Sequence, residues 1–529
     1  MTSSPTRRTL IAGAAAVLAA PRLALGADAK TLRFVPRTDL GVLDPIWSSA
    51  IITRNHAFMV YDTLYGQDSN FEPSPQMVAG HRIEADGRLW RLTLRDSLLW
   101  HDGERVLARD CVASIRRWGA KDAFGQALMA ATDELAAPDD RTIVFRLKAP
   151  FPFLPHALGK SAAFFPAMMP ERLATVGPSK QITEIIGSGP FRYRPDERVP
   201  GARNVYERFA PYKPRDDGTV SRTAGPKRVH FDRVEWITMS DPGTAASALR
   251  AGEVDWIDYP VIDLLPMLRS SPGVGVKILD PKGLIGVFRM NHLQPPFDNP
   301  RIRRAVLAAF DQSEFMQAVA GDDRSLWRDG VGFFCPDTPL ASAAGMEVVT
   351  GPRNLAAAKR AIVEAGYKGE PVALIVSSDF PALKAMSDVA AETLQKIGLN
   401  VDYQSLDWGT VQQRRYKRDP VDKGGWSAFC TNYEGADLAD PAGHLALRTN
   451  GAQAWFGWPS DPKIEELRDR WFLAGDLAEQ KALAAAIQRA AFVSVPYIPL
   501  GQFFAPTAYR SNIKDLVDGF AIFWNVRRG

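Results

Sequence analysis

The stretch "PVALIVSSDFPALKAMSDVAAETLQKIGLNVDYQSL", residues 371 to 406, decides the fold class. Its first six residues form an apolar run typical of a buried strand. The following segment carries an apolar stripe at helical spacing that stops before Gly398, consisting of Met386, Val389, Ala390, Thr393, Leu394 and Ile397. Leu399, Val401 and Tyr403 then alternate with polar residues, which predicts a second strand. The order strand, helix, strand favours a parallel pair with a right-handed crossover, and so an α/β lobe whose ligand edge lies at the strand ends.

A region nearer the N-terminus has a different period. Trp90, Leu92 and Leu94 alternate with polar residues, and Ile143, Phe145 and Leu147 repeat the pattern. Period two over such lengths predicts half-buried strands, bounded here by the turn sequences "HDGE" and "PDD". Residues 66–185 are therefore predicted to be a strand-rich insertion with one helix, "ARDCVASIRRW", which buries Cys111.

Beyond residue 285 the sequence contains several patterns that mark the start of a helix. Asn299-Pro300 and Asp461-Pro462 each place a capping residue before a proline, and Asp476 with Glu479 resembles a capping box. No internal repeat or low-complexity linker divides the chain, so the domains are expected to exchange strands.

Composition limits the classes of function. The 529 residues exceed what one hydrophobic core usually supports, which favours two or three domains. The net charge of +4 arises from 64 basic and 60 acidic residues spread along the chain. Nucleic-acid binding gains no support, because it needs a concentrated basic patch.

Residues 1–27 have the pattern of a cleaved export signal. Arg7-Arg8 matches a twin-arginine signal, and the apolar stretch after it is too short to span a bilayer. Small residues predict cleavage after Gly26 or Ala27, which makes the mature protein periplasmic.

No catalytic motif is recognisable. The seven histidines lack zinc-helix spacing, no Cys-x-x-Cys or Gly-x-Ser-x-Gly occurs, and "GSGP" (187–190) is no dinucleotide fingerprint. No cofactor, metal site or enzymatic activity is predicted. The alternative is a cysteine- or metal-dependent periplasmic hydrolase, in which His444 would activate Cys430 or the nearby carboxylates would hold a metal.

Several stretches, in order along the chain, resemble the family 5 solute-binding proteins of ABC importers, the peptide, nickel and opine group. They are "LWRLTLRDSLLWHDGERVLARDCVASIRR" (89–117), "IGSGPFRY" (186–193), "ALRAGEVDW" (248–256), "FRMNHLQPPFDNPRIRRAVLAAFD" (288–311) and "NLAAAKRAIVEAGY" (354–367). Their shared order makes the resemblance more specific than any single motif.

The resemblance implies an α/β, bilobal periplasmic binding protein of type II with the peptide-binding (cluster C) architecture and an extra strand-rich domain. Such a protein captures a peptide-like or other amphiphilic solute and delivers it to a membrane permease and its ATPase, as a monomer without nucleic acid. A receptor or chaperone on the same scaffold is a further possibility. The implied parts are domain I (28–65, 186–283 and 496–529), domain II (66–185) and domain III (284–495).

The resemblance also places the run "GGWSAFCTNYEGADLADP", residues 424–441, at the ligand cleft. In peptide-binding relatives an aspartate three residues after a Gly-Trp pairs with the α-amino group of the peptide. Here Trp426 is followed at that place by Phe429, so the amine anchor is absent there. Either Asp437 or Glu434 takes its role, or the ligand has no free α-amine.

The cleft candidates from this run are Trp426, Phe429, Cys430, Asn432, Tyr433, Glu434 and Asp437. Candidates from other segments are Asn291, Arg289, Trp47, Ser48, Ser49 and Trp408. Among them, Arg289 could bind a ligand carboxylate through two parallel hydrogen bonds.

Overall fold

The computed structural model describes residues 30–177 and 179–529. The predicted export signal, residues 1–27, lies outside these ranges. Within them, no helix combines the length and the apolar character needed to cross a membrane. Three larger sheets, of seven, four and six strands, organise domain I, domain II and a third part, called lobe III below.

The helices of the described ranges include long ones in lobe III and several short ones in domain II. They are Ile51–Val60 (α1), Ala108–Gly119 (α2), Ala123–Ala131 (α3), Leu154–Gly159 (α4), Glu171–Ala174 (α5), Pro242–Ala251 (α6), Leu265–Ser270 (α7), Pro300–Ala309 (α8), Gln312–Ala320 (α9), Glu347–Thr350 (α10), Leu355–Glu364 (α11), Pro381–Lys396 (α12), Trp408–Arg414 (α13), Pro462–Phe472 (α14) and Leu477–Ser494 (α15).

The strands of the same ranges are Thr31–Val35 (β1), Tyr65–Gln67 (β2), Pro73–Pro75 (β3), Val78–Glu84 (β4), Leu89–Leu94 (β5), Thr132–Ala136 (β6), Thr142–Leu147 (β7), Phe191–Tyr193 (β8), Arg203–Arg208 (β9), Arg233–Ile237 (β10), Trp256–Ile257 (β11), Val274–Ile278 (β12), Leu284–Met290 (β13), Trp327–Arg328 (β14), Pro371–Ser377 (β15), Asn400–Leu406 (β16), Ala428–Glu434 (β17), Ile498–Phe503 (β18), Pro506–Arg510 (β19), Ile513–Lys514 (β20) and Arg527–Arg528 (β21).

Domain I is built on the seven-stranded sheet with the order β12-β19-β11-β1-β10-β9-β8. Strand β1 is its centre and runs parallel to both β10 and β11. The ring of Phe34 packs edge-on against Trp256 at 5.1 Å and Phe523 at 5.0 Å, in the aromatic core of this domain. Helix α1 is buried along almost its whole length, so its position is set by the domain core rather than by solvent.

The described residues of 66–185, called domain II, combine an antiparallel sheet with four helices, α2 to α5, where the sequence predicted one helix. The sheet has the order β4-β5-β7-β6, and the two alternating segments of the sequence form its central pair, β5 and β7. Helix α2 packs on this sheet and buries Cys111, as expected from the sequence. The alternation therefore predicted this sheet correctly because one face of each strand is solvated.

Lobe III contains the six-stranded sheet β14-β18-β13-β17-β15-β16. The predicted strand, helix, strand unit is confirmed: β15 and β16 are parallel, with Leu374 opposite Tyr403, and α12 connects them. The predicted caps are also present. The side chain of Asn299 accepts a hydrogen bond from the Arg301 amide at 2.9 Å, and that of Asp476 from the Glu479 amide at 2.9 Å.

One predicted boundary is wrong by a strand. The sequence reading returns the chain to domain I at residue 496, but β18 is an inner strand of the lobe III sheet, between β13 and β14. Its six residues are all buried, because it is an inner strand and other elements, including α9, pack against it. The chain reaches domain I only with β19, which pairs with β11 and β12.

Lobe III is joined to domain I by two chain crossings that lie side by side. One runs from β12 to β13 through residues 279–283 and the other from β18 to β19 through residues 504–505, and Leu284 is paired with Phe503 where they enter the lobe. Gly283 has a φ of +54°, and a Cβ there would lie 2.5 Å from the carbonyl oxygen of Phe503. Glycine is thus required where the crossings touch.

Domain II packs directly on lobe III through aromatic rings. Phe153 stacks on Trp471 of α14 at 4.7 Å, and Phe151 stacks on Phe472 at 5.8 Å. The guanidinium of Arg468, on the same helix, donates to the carbonyl oxygens of Pro441 and Ala442 within lobe III. This aromatic contact holds the two parts together without a covalent link.

Replacing Trp471 by Ala should lower the free energy of unfolding by about 3 to 5 kcal/mol, because it removes a buried ring and leaves a cavity between domain II and lobe III. Urea unfolding followed by circular dichroism measures the change. The control is Leu473→Ala: Leu473 is 70% exposed, two residues along the chain, and its change should stay within about 0.5 kcal/mol. Equal effects of the two substitutions would contradict this role of the ring.

Candidate functional site

A cavity of about 430 Å³ lies between domain I and lobe III. Its domain I wall is the loop after β1 together with the first turn of α1, from Arg37 to Thr53. Its lobe III wall comes from the starts of α12 and α13, the end of β17 and the ring of Trp455. Ligand pockets of proteins commonly measure about 300 to 1,000 Å³, so this cavity is large enough for a small solute.

The structure brings six of the predicted cleft residues to this cavity. The residues that line it are Ser48, Ser49, Trp408, Asn432, Tyr433 and Asp437. The predicted residues that do not line it are Trp47, Trp426, Phe429, Cys430, Glu434, Asn291 and Arg289. Whether a residue of β17 lines the cavity depends on its position along the strand. Strand β17 pairs with β13 and β15 at its two edges, and its C-terminal end reaches the cavity.

Trp426 and Phe429 pack in the interior of lobe III. Their rings meet at 5.1 Å, and Trp458 lies 6.0 Å from Trp426. The side-chain amide of Asn291 donates to the backbone oxygen of Trp426 at 2.9 Å. Phe429 is thus part of an aromatic core and does not line the cavity.

The guanidinium of Arg289 is also fully buried, and backbone carbonyls use its donors. It donates to Ala446 at 2.8 Å, to Pro496 at 3.0 Å, to Trp455 at 3.0 Å and to Phe456. Burial lowers its pKa to about 10. Arg289 therefore holds the segment that carries Trp455 in place, and its donors are not directed at a ligand.

The Cys430 thiol is 3% exposed, and burial raises its pKa to about 12. The imidazole of His444 is engaged elsewhere: its Nε2 lies 2.8 Å from the carbonyl oxygen of Phe333, and its Nδ1 accepts from the Leu447 amide at 3.2 Å. Burial lowers the pKa of His444 to about 4. A thiolate nucleophile needs the opposite arrangement, an accessible sulfur whose pKa is lowered by a charged neighbour.

Glu434 forms a buried ion pair with Arg54 of α1, below the cavity floor. Arg54 Nη2 donates to Glu434 Oε1 at 2.8 Å, and Nη1 donates to Oε2. Burial raises the pKa of Glu434, but Arg54 outweighs this effect and the pKa lies below its usual value. The pair joins domain I to lobe III, so Glu434 is committed to a structural role.

Asp437 shares this region but has no arginine of its own. Its Oδ1 accepts a hydrogen bond from the Ala163 amide at 3.3 Å. Burial, and then the nearby charge of Glu434, raise the pKa of Asp437 to about 6, with partial compensation from Arg54. In the described ranges no group of three or more His, Cys, Asp or Glu residues is arranged to hold a metal ion.

Several cavity residues were missed by the sequence reading. Arg37, Asp379, Arg415 and Trp455 line the cavity, as does the first turn of α1. Trp455 lies in "AWFGW" (454–458), an aromatic cluster that could have been noticed as a cleft signal. The others come from three distant segments, and no local pattern predicts that they meet.

Glu434→Gln should lower the free energy of unfolding by about 3 to 5 kcal/mol, because the buried Arg54 would lose the counter-charge to which it is hydrogen-bonded. Denaturant unfolding at neutral pH measures it. Glu466→Gln removes an exposed partner of Lys463 and should change the free energy by less than about 1 kcal/mol. A comparable loss in both variants would refute the role of the buried pair.

Asp437 should make stability depend on pH. Its folded-state pKa of about 6 exceeds the ordinary value of 3.8, so the neutral carboxyl contributes stability at low pH that is lost as the pH rises through 6. Asp437→Asn keeps the acceptor for the Ala163 amide but cannot ionise. Its unfolding free energy relative to the parent should therefore rise by about 2 to 3 kcal/mol between pH 4 and pH 7. A constant difference over this range would contradict the assignment.

Comparison with known proteins finds one family and many structures of the same fold. The family described as bacterial extracellular solute-binding proteins, family 5 Middle, matches residues 72–454. A protein of Sinorhizobium fredii named probable peptide ABC transporter periplasmic-binding protein y4tO is 38% identical over 536 residues, covering 98% of each chain.

Two solved structures are similar over 94% of this chain. The binding protein AgaA of A. tumefaciens R10, in complex with agropinic acid, has a TM-score of 0.78 at 18% identity and is covered to 99%. The periplasmic binding protein DppA of Helicobacter pylori, in complex with the peptide STSA, has a TM-score of 0.78 at 20% identity and is covered to 98%. These likenesses confirm the predicted bilobal α/β fold class.

Proposed function

This chain belongs to family 5 of the bacterial extracellular solute-binding proteins, and we propose that it captures a peptide-like or other amphiphilic solute in the periplasm for an ABC importer. The observation that carries the proposal is the cavity between domain I and lobe III. Its walls combine the rings of Trp408, Tyr433 and Trp455 with the polar side chains of Ser48 and Asn432. Aromatic walls with a few polar groups are the usual lining of a site that binds without reacting.

The position of the cavity supports a capture mechanism. Because its walls belong to two parts joined by adjacent crossings at residues 279–283 and 504–505, rotation about these crossings would open it. A solute that contacts both walls binds the closed form better, and so shifts the population toward closure. The closed form is the state that the permease and its ATPase would recognise.

The proposed ligand class follows the relative y4tO, whose name assigns it to peptide transport. Two features of this chain modify that class. Phe429 stands where an amine-binding aspartate is expected, and Glu434 is already paired with Arg54. Of the two carboxylates that could replace the anchor, Asp437 alone lines the cavity. Either Asp437 takes the role of the amine anchor, or the solute has no free α-amine.

Periplasmic location and export are part of the proposal. The twin-arginine pattern at Arg7-Arg8 predicts passage through the inner membrane, with the mature chain beginning at Ala27 or Asp28. We expect a monomer. We propose no enzymatic activity, because Cys430 is a buried thiol with a raised pKa and His444 is bonded to other groups.

Native mass spectrometry of the mature chain, isolated without added ligand, tests the binding role directly. We expect either one co-purified small molecule per chain or, in a thermal-shift library of peptides, opines, sugars and metal complexes, stabilisation by one compound class. No bound mass and no stabilisation by any class would overturn the proposal.

Cys430→Ala separates binding from catalysis. A binding protein should retain its ligand affinity within a few fold, since the thiol lies outside the cavity. Isothermal titration calorimetry with the identified ligand measures the affinity, and mass spectrometry of the ligand after incubation detects turnover. Conversion of the ligand by the parent chain, abolished in Cys430→Ala, would establish a hydrolase instead.

A further inference from the structure

The guanidinium of Arg415 is a buried cation without a carboxylate partner among the described residues. Arg415 is 8% exposed and lines the cavity, at the C-terminal end of α13. Its Nε is buried with no hydrogen-bond acceptor in residues 30–177 and 179–529. Burial lowers the pKa of Arg415, which reflects a charge that the protein itself leaves uncompensated. A buried charge is normally paired, so an absent partner is implied.

Other buried arginines of this chain show what a satisfied guanidinium looks like. Arg289 donates to four backbone carbonyls and does not reach the cavity. Arg54 and Arg117 each form bidentate pairs with a carboxylate, Glu434 and Asp44. Arg415 has neither kind of acceptor within the described part of the chain, and it faces the cavity between domain I and lobe III.

Aromatic rings surround the guanidinium. Its Cζ lies 4.5 Å from the ring centre of Phe456 and 5.6 Å from those of Trp408 and Trp455. Ring faces attract a cation but supply no hydrogen-bond acceptor. The Tyr433 hydroxyl, on a ring 5.5 Å from that of Trp455, is a second buried polar group that has no hydrogen-bond partner in the described ranges. Both groups can donate to the same bound molecule.

The domain I wall also presents free donors. Helix α1, ten residues long, begins at the cavity with no side-chain cap and no acidic residue in its first turn. The amides of Ile51, Ile52 and Thr53 find no acceptor in residues 30–177 and 179–529. The partial positive charge of a helix N-terminus favours an anion. Arg415 and these amides face the same cavity from opposite walls.

Two carboxylates of the cavity, Asp379 and Asp39, are satisfied by hydrogen bonds, whereas a third, Asp437, accepts one hydrogen bond, from the Ala163 amide. Asp379 accepts from the Trp408 amide at 2.8 Å and from Ser377 Oγ at 2.9 Å. Asp39 accepts from the Gly201 amide at 3.1 Å and from Thr238 Oγ1 at 3.4 Å. Arg37, a second cation at the wall, is paired with Asp258 at 2.9 Å. Of the two arginines that line the cavity, Arg415 is therefore the one without a carboxylate partner among the described residues.

We propose that the solute is a monoanion, whose carboxylate or sulfonate group pairs with Arg415 while its other acceptors face the N-terminus of α1. This inference rests on the proposed binding function and names its ligand class. A single charge fits, because one unpaired guanidinium faces the cavity and a second negative charge would meet the carboxylates of Asp39, Asp379 and Asp437. Donors on both walls also mean that the anion can favour lobe closure.

A series of benzene derivatives tests the proposal on the full mature chain, whatever its natural solute is. Benzoate and benzenesulfonate carry one negative charge, benzamide is neutral, benzylamine is cationic, and phenyl phosphate is a dianion at pH 8. Thermal shift and calorimetry at constant ionic strength compare them. We expect benzoate or benzenesulfonate to bind at least about 10-fold more tightly than benzamide, benzylamine and phenyl phosphate.

Three variants assign the preference to Arg415. Arg415→Gln should remove the advantage of the anionic probe over benzamide, and Arg415→Lys should restore part of it by returning the charge without the planar fork. Lys417→Gln is the matched control: it removes one positive charge two residues away, from an exposed side chain, and should leave the preference intact. Circular dichroism confirms that each variant is folded.

The outcomes separate this inference from the binding function. Equal binding of benzamide and benzoate by the parent chain, stronger binding of phenyl phosphate, or a preference that survives in Arg415→Gln each overturn the monoanion assignment. A neutral or cationic natural solute, bound equally by the parent and Arg415→Gln, overturns it while the binding function stands. Absence of binding by every probe and library compound overturns both.

Discussion

The buried ion pair between Arg54 and Glu434 ties the two walls of the cavity together. Arg54 lies on α1, whose first turn forms the domain I wall, and Glu434 ends β17, whose last residues form the lobe III wall. Two charges buried away from water are tolerated only when they pair closely and their hydrogen-bonding groups are satisfied. The pair thus couples the placement of helix α1 in domain I to that of strand β17 in lobe III. These two elements contribute to the opposite walls of the cavity.

Around this pair, the chain separates structural polar groups from those available to a solute. Arg289, Asn291 and His444 are buried and use their donors on backbone carbonyls. They organise the segments that carry the cavity side chains without touching its space. Arg415 and the first amides of α1 are buried or shielded to a similar degree but have no acceptor in the part of the chain that the structure describes. The difference in hydrogen bonding, rather than the residue type, distinguishes a scaffold arginine from a binding one.

The sequence predicted those parts of the structure that depend on local period. Strands β5, β7 and β16 and helix α12 were found because solvent lies on one side of each element, and β15 because a continuous apolar run marks a strand buried on both faces. The boundary at residue 496 was wrong because β18 is buried on both faces, so that no period marks the sheet to which it belongs.

The cavity side chains were harder to predict for a related reason. Tyr433 and Phe429 lie four residues apart on one strand, yet the first reaches the cavity and the second lies in the interior. That division depends on the order β13-β17-β15 in the sheet, which is set by contacts between segments far apart in sequence. The cleft candidates named from the sequence included residues of this strand together with Ser48, Ser49 and Trp408, but not Arg37, Asp379, Arg415 or Trp455.

The adjacency of the two chain crossings gives lobe III the form of an inserted module. Residues 284–503 leave domain I and return to it at neighbouring points, since Leu284 and Phe503 are partners in one ladder. A segment whose ends meet can be exchanged for another of different length without moving the rest of domain I. During evolution, the half of the cavity that carries Arg415, Trp408 and Trp455 could therefore diversify as a unit, while the opposite wall and its helix remain unchanged.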